Sequence, residues 1–271
     1  MSNFHLRLVS AVILAGVALG LTYFGGAAFR VLAVAVGGGI FIEWCLLSGQ
    51  TRHRTHFALM GVVASVLLLM VLAGLPPSTV LVALAAGIGL ALASGLVSGQ
   101  GLWGAGGIAY AVLPVIAASA IRGDAPAGLV AVLFLFAVVW ATDIFAYFVG
   151  RLAGGPKLAP AISPGKTWSG AVGGVLFAVV AGLAVATVSG LRIGGLLIVS
   201  IVLLSAVSQI GDLFESWLKR HFGAKDSSNL IPGHGGVMDR VDGLVAAVIG
   251  LYLIGVAASG PNDPLAAFGS G

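Results

Sequence analysis

Residues 168–190 read WSGAVGGVLFAVVAGLAVATVSG, a run without a single charged side chain or histidine. A helix needs about 20 mostly apolar residues to cross the hydrocarbon core of a bilayer, and this run meets that length unaided. Gly170, Gly174 and Ala178 recur at every fourth position within it, the spacing that lets membrane helices approach one another closely. Working outward, similar segments fall at 8–26, 30–48, 56–75, 78–99, 101–121, 127–150, 193–213 and 241–260. Together with 168–190 they predict an all-α, polytopic integral membrane protein of about nine transmembrane helices, its N-terminus cytoplasmic.

Composition agrees with that fold class. The 271 residues are 59% hydrophobic and only 8% charged, with a mean hydropathy of +1.12, a membrane profile. Net charge is +4 with no basic run, so nucleic acid is excluded as a partner. The single cysteine, Cys45, lies in an apolar segment and excludes a disulfide framework within one chain. The first run, Leu8 to Phe24, follows a short head bearing His5 and Arg7. Because the chain stays apolar afterwards, this run is expected to be a retained membrane helix and not a cleaved signal.

Orientation follows from the loops. With nine spans, Arg7, Arg52, Arg54, Arg151, Lys157, Lys166, Lys219, Arg220, Lys225 and Arg240 fall on one side, and Arg30, Arg122 and Arg192 on the other. Lys and Arg concentrate on the cytoplasmic side of membrane proteins, which places the polar loops 151–167 and 214–240 in the cytoplasm. Residues 1–125 hold little ionisable material and read as transmembrane scaffold. Their exception, Glu43, is read as a structural carboxylate at the membrane interface. Residues 126–271 read as the catalytic region.

Most of the chemistry lies in Gly211–Gly243. Five of the nine carboxylates fall there: Asp212, Glu215, Asp226, Asp239 and Asp242. Asp239 and Asp242 sit three residues apart at the start of the last helix, so both project from one face. Asp212 closes the preceding membrane helix, where a charge costs roughly 2.5–3.5 kcal/mol. Three acids brought together would repel unless they shared a cation, and hard oxygen donors suit Mg²⁺. Asp212, Asp239 and Asp242 are therefore the expected metal ligands, with a second, monovalent cation as a further candidate. Asp212, Glu215, Ser216 and Lys219 recur at helical spacing along one stripe. Lys219, Arg220 and Lys225 form a cationic group suited to phosphate oxygens.

The turn Pro232-Gly233-His234-Gly235-Gly236 is expected to let backbone amides approach an anion, with His234 holding phosphate or passing a proton. A second polar region contributes Asp143, an intramembrane carboxylate and so a functional candidate, and then Ser163, Lys166 and Thr167. Gly165-Lys166-Thr167 is not a P-loop, because Pro160 stands where that pattern needs glycine. Lys166 and Thr167 are still expected to contact phosphate.

These residues carry a resemblance. Ser216-x-Leu218-Lys219-Arg220, Lys225-Asp226 and Pro232-x-His234-Gly235-Gly236-x-x-Asp239-Arg240-x-Asp242 resemble the signature of phosphatidate cytidylyltransferases, also called CDP-diacylglycerol synthases. Asp143-x-x-Ala146-Tyr147-x-x-Gly150-Arg151 and the Ser163–Thr167 loop are similar to that family too. Gly165 stands where a second lysine is common in the family, and Ser169 where a glutamate is common.

The resemblance implies the reaction of CTP with phosphatidic acid, giving CDP-diacylglycerol and pyrophosphate with Mg²⁺ required. It also implies many membrane helices, a polar cavity facing the cytoplasm and a homodimeric state. Asp212, Lys219, Asp239 and Asp242 are then the expected catalytic residues, the three aspartates carrying the metal. Asp143, Ser163, Lys166, Thr167, Arg220, Lys225, Asp226, His234, Gly235, Gly236 and Arg240 are the expected substrate contacts. The expected location is the inner membrane of a bacterium, the active site facing the cytoplasm. An ion-coupled transporter would show repeated halves with broken helices, and the two halves here differ in composition. A CDP-alcohol phosphotransferase would space its aspartates differently.

Overall fold

A computed structural model describes residues 3–231 and 235–265. Among these, nine α-helices follow one another: α1 (Asn3–Phe24), α2 (Gly26–Leu47), α3 (Arg54–Leu72), α4 (Pro77–Val97), α5 (Trp103–Arg122), α6 (Pro126–Ala153), α7 (Trp168–Val188), α8 (Gly195–His221) and α9 (Met238–Ser259). Eight of them, α2 to α9, are long and apolar enough to span a membrane, and α1 contributes a shorter apolar stretch, Ala15–Phe24. The protein is thus an all-α polytopic membrane protein. Its helices carry apolar side chains outward, among them Val82, Val172, Leu176 and Val180, as a hydrocarbon solvent requires.

Two features differ from expectation. The polar loop 151–167 contains a two-stranded antiparallel hairpin, β1 (Lys157–Ala159) and β2 (Ser163–Thr167). The helix α8 continues to His221, so the first eight residues of the expected 214–240 loop are helical. Leu218 is buried while Arg220 and His221 are exposed, so packing on one face carries the helix on.

The chain divides into two compact units, Met1–Ala125 with Ala224–Arg240, and Pro126–Gly223 with Val241–Gly271. In the first, α2 packs on α5 around Trp44, whose indole Nε1 donates to Trp103 O at 2.8 Å. Arg122, at the end of α5, is buried and donates to Thr22 O at 2.6 Å and Tyr23 O at 2.8 Å. Carbonyls at a helix C-terminus lack internal partners, and this guanidinium supplies them for α1.

The second unit is built on α6 and α7. Gly170 lies against Ala146 O, Gly173 against Val149 and Gly174 against Thr142 O. A methyl group at Gly170 would stand only 2.5 Å from that carbonyl, so the small-residue spacing seen in 168–190 serves close packing. Thr167 caps α7, its Oγ1 accepting from Gly170 N at 3.1 Å.

Candidate active site

In the second unit, α8 carries a polar stripe at helical spacing through Ser205, Ser208, Asp212, Glu215 and Lys219. Its first half, residues 195–204, is almost wholly apolar, and the stripe follows it. Thr142 of α6 and Ser205 share a hydrogen bond at 2.7 Å, and Ser208 Oγ donates to Ser205 O at 2.8 Å. Both serines and Thr142 are fully buried, so each hydroxyl needs these partners. Farther along, Ser216 Oγ lies 3.4 Å from Asp212 Oδ1, and Lys219 Nζ is 2.5 Å from Glu215 Oε2.

Two glycines bring α9 against this stripe. Gly211 lies under Asp242 O and the methyl of Ala246, and Gly243 against Ser208 O. Each glycine adjoins one of the acids, Gly211 preceding Asp212 and Gly243 following Asp242. The close backbone approach therefore sets Asp212 beside Asp242. Asp143 of α6 interacts electrostatically with both, and Asp242 also with Lys166 and Lys219. Lys166, on β2, makes an ion pair with Asp212 Oδ2. The hairpin aims that lysine: β2 ends at the Thr167 cap, and Ser169 Oγ hydrogen-bonds both Thr167 Oγ1, at 3.0 Å, and Gly154 O. Ser169 thus closes the loop.

The second unit gathers Asp143, Lys166, Asp212, Lys219 and Asp242 from four separate elements. Ser163 opens β2, and Arg220 is exposed one residue from the end of α8. Arg151, at the foot of α6, donates to Tyr147 Oη at 2.9 Å.

The first unit holds the rest. Asp239 Oδ2 accepts from Ser227 N at 3.0 Å, Ser227 Oγ at 2.9 Å and Gly236 N at 2.8 Å. Glu43, on α2, is buried and accepts from Ser227 Oγ, Ser228 Oγ, Val237 N and Met238 N at 2.7–2.9 Å. Of the turn expected to face an anion, the Gly236 amide is thus committed to Asp239, and the Val237 and Met238 amides that follow it are committed to Glu43. Gly235 has a positive φ of 79° and its carbonyl accepts from Ile231 N at 2.8 Å, closing the turn. Lys225, Asp226 and Arg240 are exposed. His234 lies outside the described residues.

Sequence reasoning saw Glu43 as structural but missed what it holds. Ser227 and Ser228, next to Asp226, were the available signal. Gly211 and Gly243 were hidden among 42 glycines.

The donor chemistry fits Mg²⁺, which takes one or two protein carboxylates and completes its shell with water and phosphate. Asp212 and Asp242 supply hard oxygens of that kind. No closed cage of three or more His, Cys, Asp or Glu side chains occurs among the described residues, so a fully protein-ligated ion such as structural zinc does not fit.

Comparison with known proteins places the chain. Residues 5–257 match the Cytidylyltransferase family. A phosphatidate cytidylyltransferase of Brucella suis is 48% identical over 272 residues, covering 99% of this chain and 99% of that protein. The Brucella melitensis protein of the same description is equally similar over the same shares. A Haemophilus influenzae phosphatidate cytidylyltransferase is 49% identical over 127 residues, 45% of this chain and 44% of its own. With a full-length match of this strength added to the charged cluster on α6, α8 and α9, the chain belongs to the phosphatidate cytidylyltransferase family and is a nucleotidyltransferase.

Proposed function

We propose that this protein transfers a cytidylyl group from CTP to phosphatidic acid, giving CDP-diacylglycerol and pyrophosphate for phospholipid synthesis. The observation that carries the reading is the juxtaposition of acids with lysine in the second unit, Asp212 paired with Lys166 and both in electrostatic contact with Asp242. A reaction between two polyanions needs such a site, since it must hold phosphate with cations and offset charge on the leaving group.

A phosphate-monoester oxygen of phosphatidic acid attacks the α-phosphorus of CTP. The new phosphorus–oxygen bond forms in line with the breaking bond to the β-phosphate bridging oxygen, and pyrophosphate leaves with that electron pair. The nucleophile is already anionic near neutral pH, so no strong general base is required. Lys166, Lys219 and Arg220 bind phosphate oxygens and align the reactants. Lys166 is held ready by Asp212, and exchange of that carboxylate for a substrate phosphate keeps its charge compensated. Glu215 holds Lys219 in the same manner.

Mg²⁺ would be the cofactor in this reading: Asp212 and Asp242 would hold it, Asp239 being the third acid expected from the sequence, and it would supply charge neutralisation for the departing pyrophosphate. Asp143 adds a fourth carboxylate whose negative field keeps the lysines directed inward. Acyl chains enter between helices, and CTP arrives from the cytoplasm, the side that receives most Lys and Arg.

Purified protein in detergent with CTP, phosphatidic acid and Mg²⁺ should yield CDP-diacylglycerol and pyrophosphate in equal amounts. Asp242→Asn should lower turnover at least about 100-fold, as expected for loss of a charge acting in the transition state. Absence of lipid product with every divalent cation would refute the proposal.

A further inference from the structure

Glu43 stands in the scaffold half, four residues from the end of α2, and no reacting group requires it. Its carboxylate nevertheless accepts four hydrogen bonds. Oε1 accepts from Ser228 Oγ and Val237 N, both at 2.7 Å. Oε2 accepts from Ser227 Oγ at 2.9 Å and Met238 N at 2.8 Å. The side chain is 1% exposed. A buried charge survives only when its lone pairs are met in this way.

The donors lie between 184 and 195 residues away in sequence, in the segment that leads into α9. Val237 N and Met238 N belong to the orphan amides at the start of that helix, so Glu43 acts as a cap supplied from another helix. Gly39, one turn earlier on α2, lets Val237 sit against the backbone, with its Cγ2 only 3.0 Å from where a Cβ would stand. Gly236 is enclosed by the Glu43 carboxylate and Ser227 Oγ, leaving no room for a side chain. Ser227 joins the two carboxylates, its hydroxyl lying 2.9 Å from Glu43 Oε2 and 2.9 Å from Asp239 Oδ2. One hydroxyl hydrogen serves two acceptors, so the positions of Glu43 and Asp239 are linked through this serine.

We infer that Glu43 is a positioning residue for the transfer reaction: from the scaffold helix α2 it fixes Ser227, Ser228, Val237 and Met238, and through Ser227 it sets the carboxylate of Asp239. The inference rests on the function proposed above. It assigns to the N-terminal half a direct part in shaping the catalytic segment.

The decisive variant is Glu43→Gln, which keeps shape and volume. A glutamine presents one oxygen and one NH₂. Whichever way it turns, the NH₂ faces either Val237 N or Met238 N, neither of which can accept. With full-length protein in detergent, three quantities are measured: kcat, the KM for each substrate, and amide hydrogen exchange by mass spectrometry. Glu43→Gln should lower kcat about 10–100-fold through misplacement of the segment, with both KM values within about threefold of wild type. Exchange should quicken across 227–238 while α6 and α7 keep their protection.

Unchanged kcat with unchanged exchange overturns the inference. So does a loss of activity accompanied by uniform deprotection of every helix, which marks a merely structural residue. Should Glu43→Gln fail to fold, Ser227→Ala and Ser228→Ala each remove one contact and leave the carboxylate, and each should move kcat and local exchange in the same direction. No change in either serine variant also overturns it. If the wild-type protein makes no CDP-diacylglycerol, the proposed function fails, while the exchange comparison still shows whether Glu43 holds the segment.

Discussion

Replacing Gly211 by alanine tests the packing that sets Asp212 beside Asp242. A Cβ built at Gly211 would stand 2.5 Å from the Cβ of Ala246 and 2.8 Å from Asp242 O. Carbon atoms in contact prefer about 3.5–4.0 Å, so α8 and α9 must part by about 1 Å, or turn, to admit one methyl group. Overpacking of this kind costs about 1–3 kcal/mol, too little to unfold a polytopic protein but enough to move the backbone. Asp212 is the next residue and Asp242 carries the obstructing carbonyl, so the displacement falls directly on the two acids. A 1 Å error at a reacting centre costs on the order of 100-fold in rate. Gly211→Ala should therefore lower kcat for CDP-diacylglycerol formation by roughly 100-fold, with a thermal unfolding midpoint in detergent only a few degrees below wild type. Gly195→Ala, in the same helix with nothing within 4 Å of the added methyl, should leave turnover unchanged. Gly211→Ala turning over within about threefold of wild type would refute the claim that this contact positions the acids.

Lys166→Ala should raise the KM for CTP while leaving the protein folded, and an unchanged KM would remove Lys166 from the phosphate site. Glu215→Ala leaves Lys219 beside a vacated, fully buried position; breaking a buried pair from one side costs about 3–5 kcal/mol, so a marked fall in the unfolding midpoint is expected, checked by a detergent melt. Thr167→Val removes the acceptor for Gly170 N, a cap worth about 1 kcal/mol, and should loosen β2 enough to weaken CTP binding, measured by titration.

Much of the architecture was legible because lipid imposes a simple rule: a spanning segment must be apolar and satisfy its own backbone. Each expected segment corresponds to an observed helix, with ends displaced by a few residues in most cases. The end of α8 was less legible, since residues 214–221 are too polar to read as membrane yet pack one buried face through Leu218. The hairpin β1–β2 was not foreseen, because its strands are short and include Pro164 and Gly165, residues that argue against a strand.

Of the candidate site, Asp212 and Asp143 were identifiable as charges that are costly in a membrane, Asp242 by its spacing from Asp239 at the start of the last helix, and Lys166 by its place in the polar loop beside Thr167. That they meet depends on contacts at Gly211 and Gly243, and nothing local separates these two from glycines that pack elsewhere. Glu43 stood out by its charge, but its partners lie more than 180 residues away, beyond the reach of any periodicity. The turn before α9 looked ready for an anion, yet the anion that its Gly236 amide meets is Asp239.

The most direct test of the central claim is the fate of the phosphate label when the purified protein receives CTP, phosphatidic acid and Mg²⁺. Cytidylyl transfer predicts that label at the α-phosphate of CTP enters the lipid product and label at the γ-phosphate leaves as pyrophosphate, both lost in Asp242→Asn. Label from the γ-phosphate in the lipid, or α-label confined to free nucleotide, would contradict it.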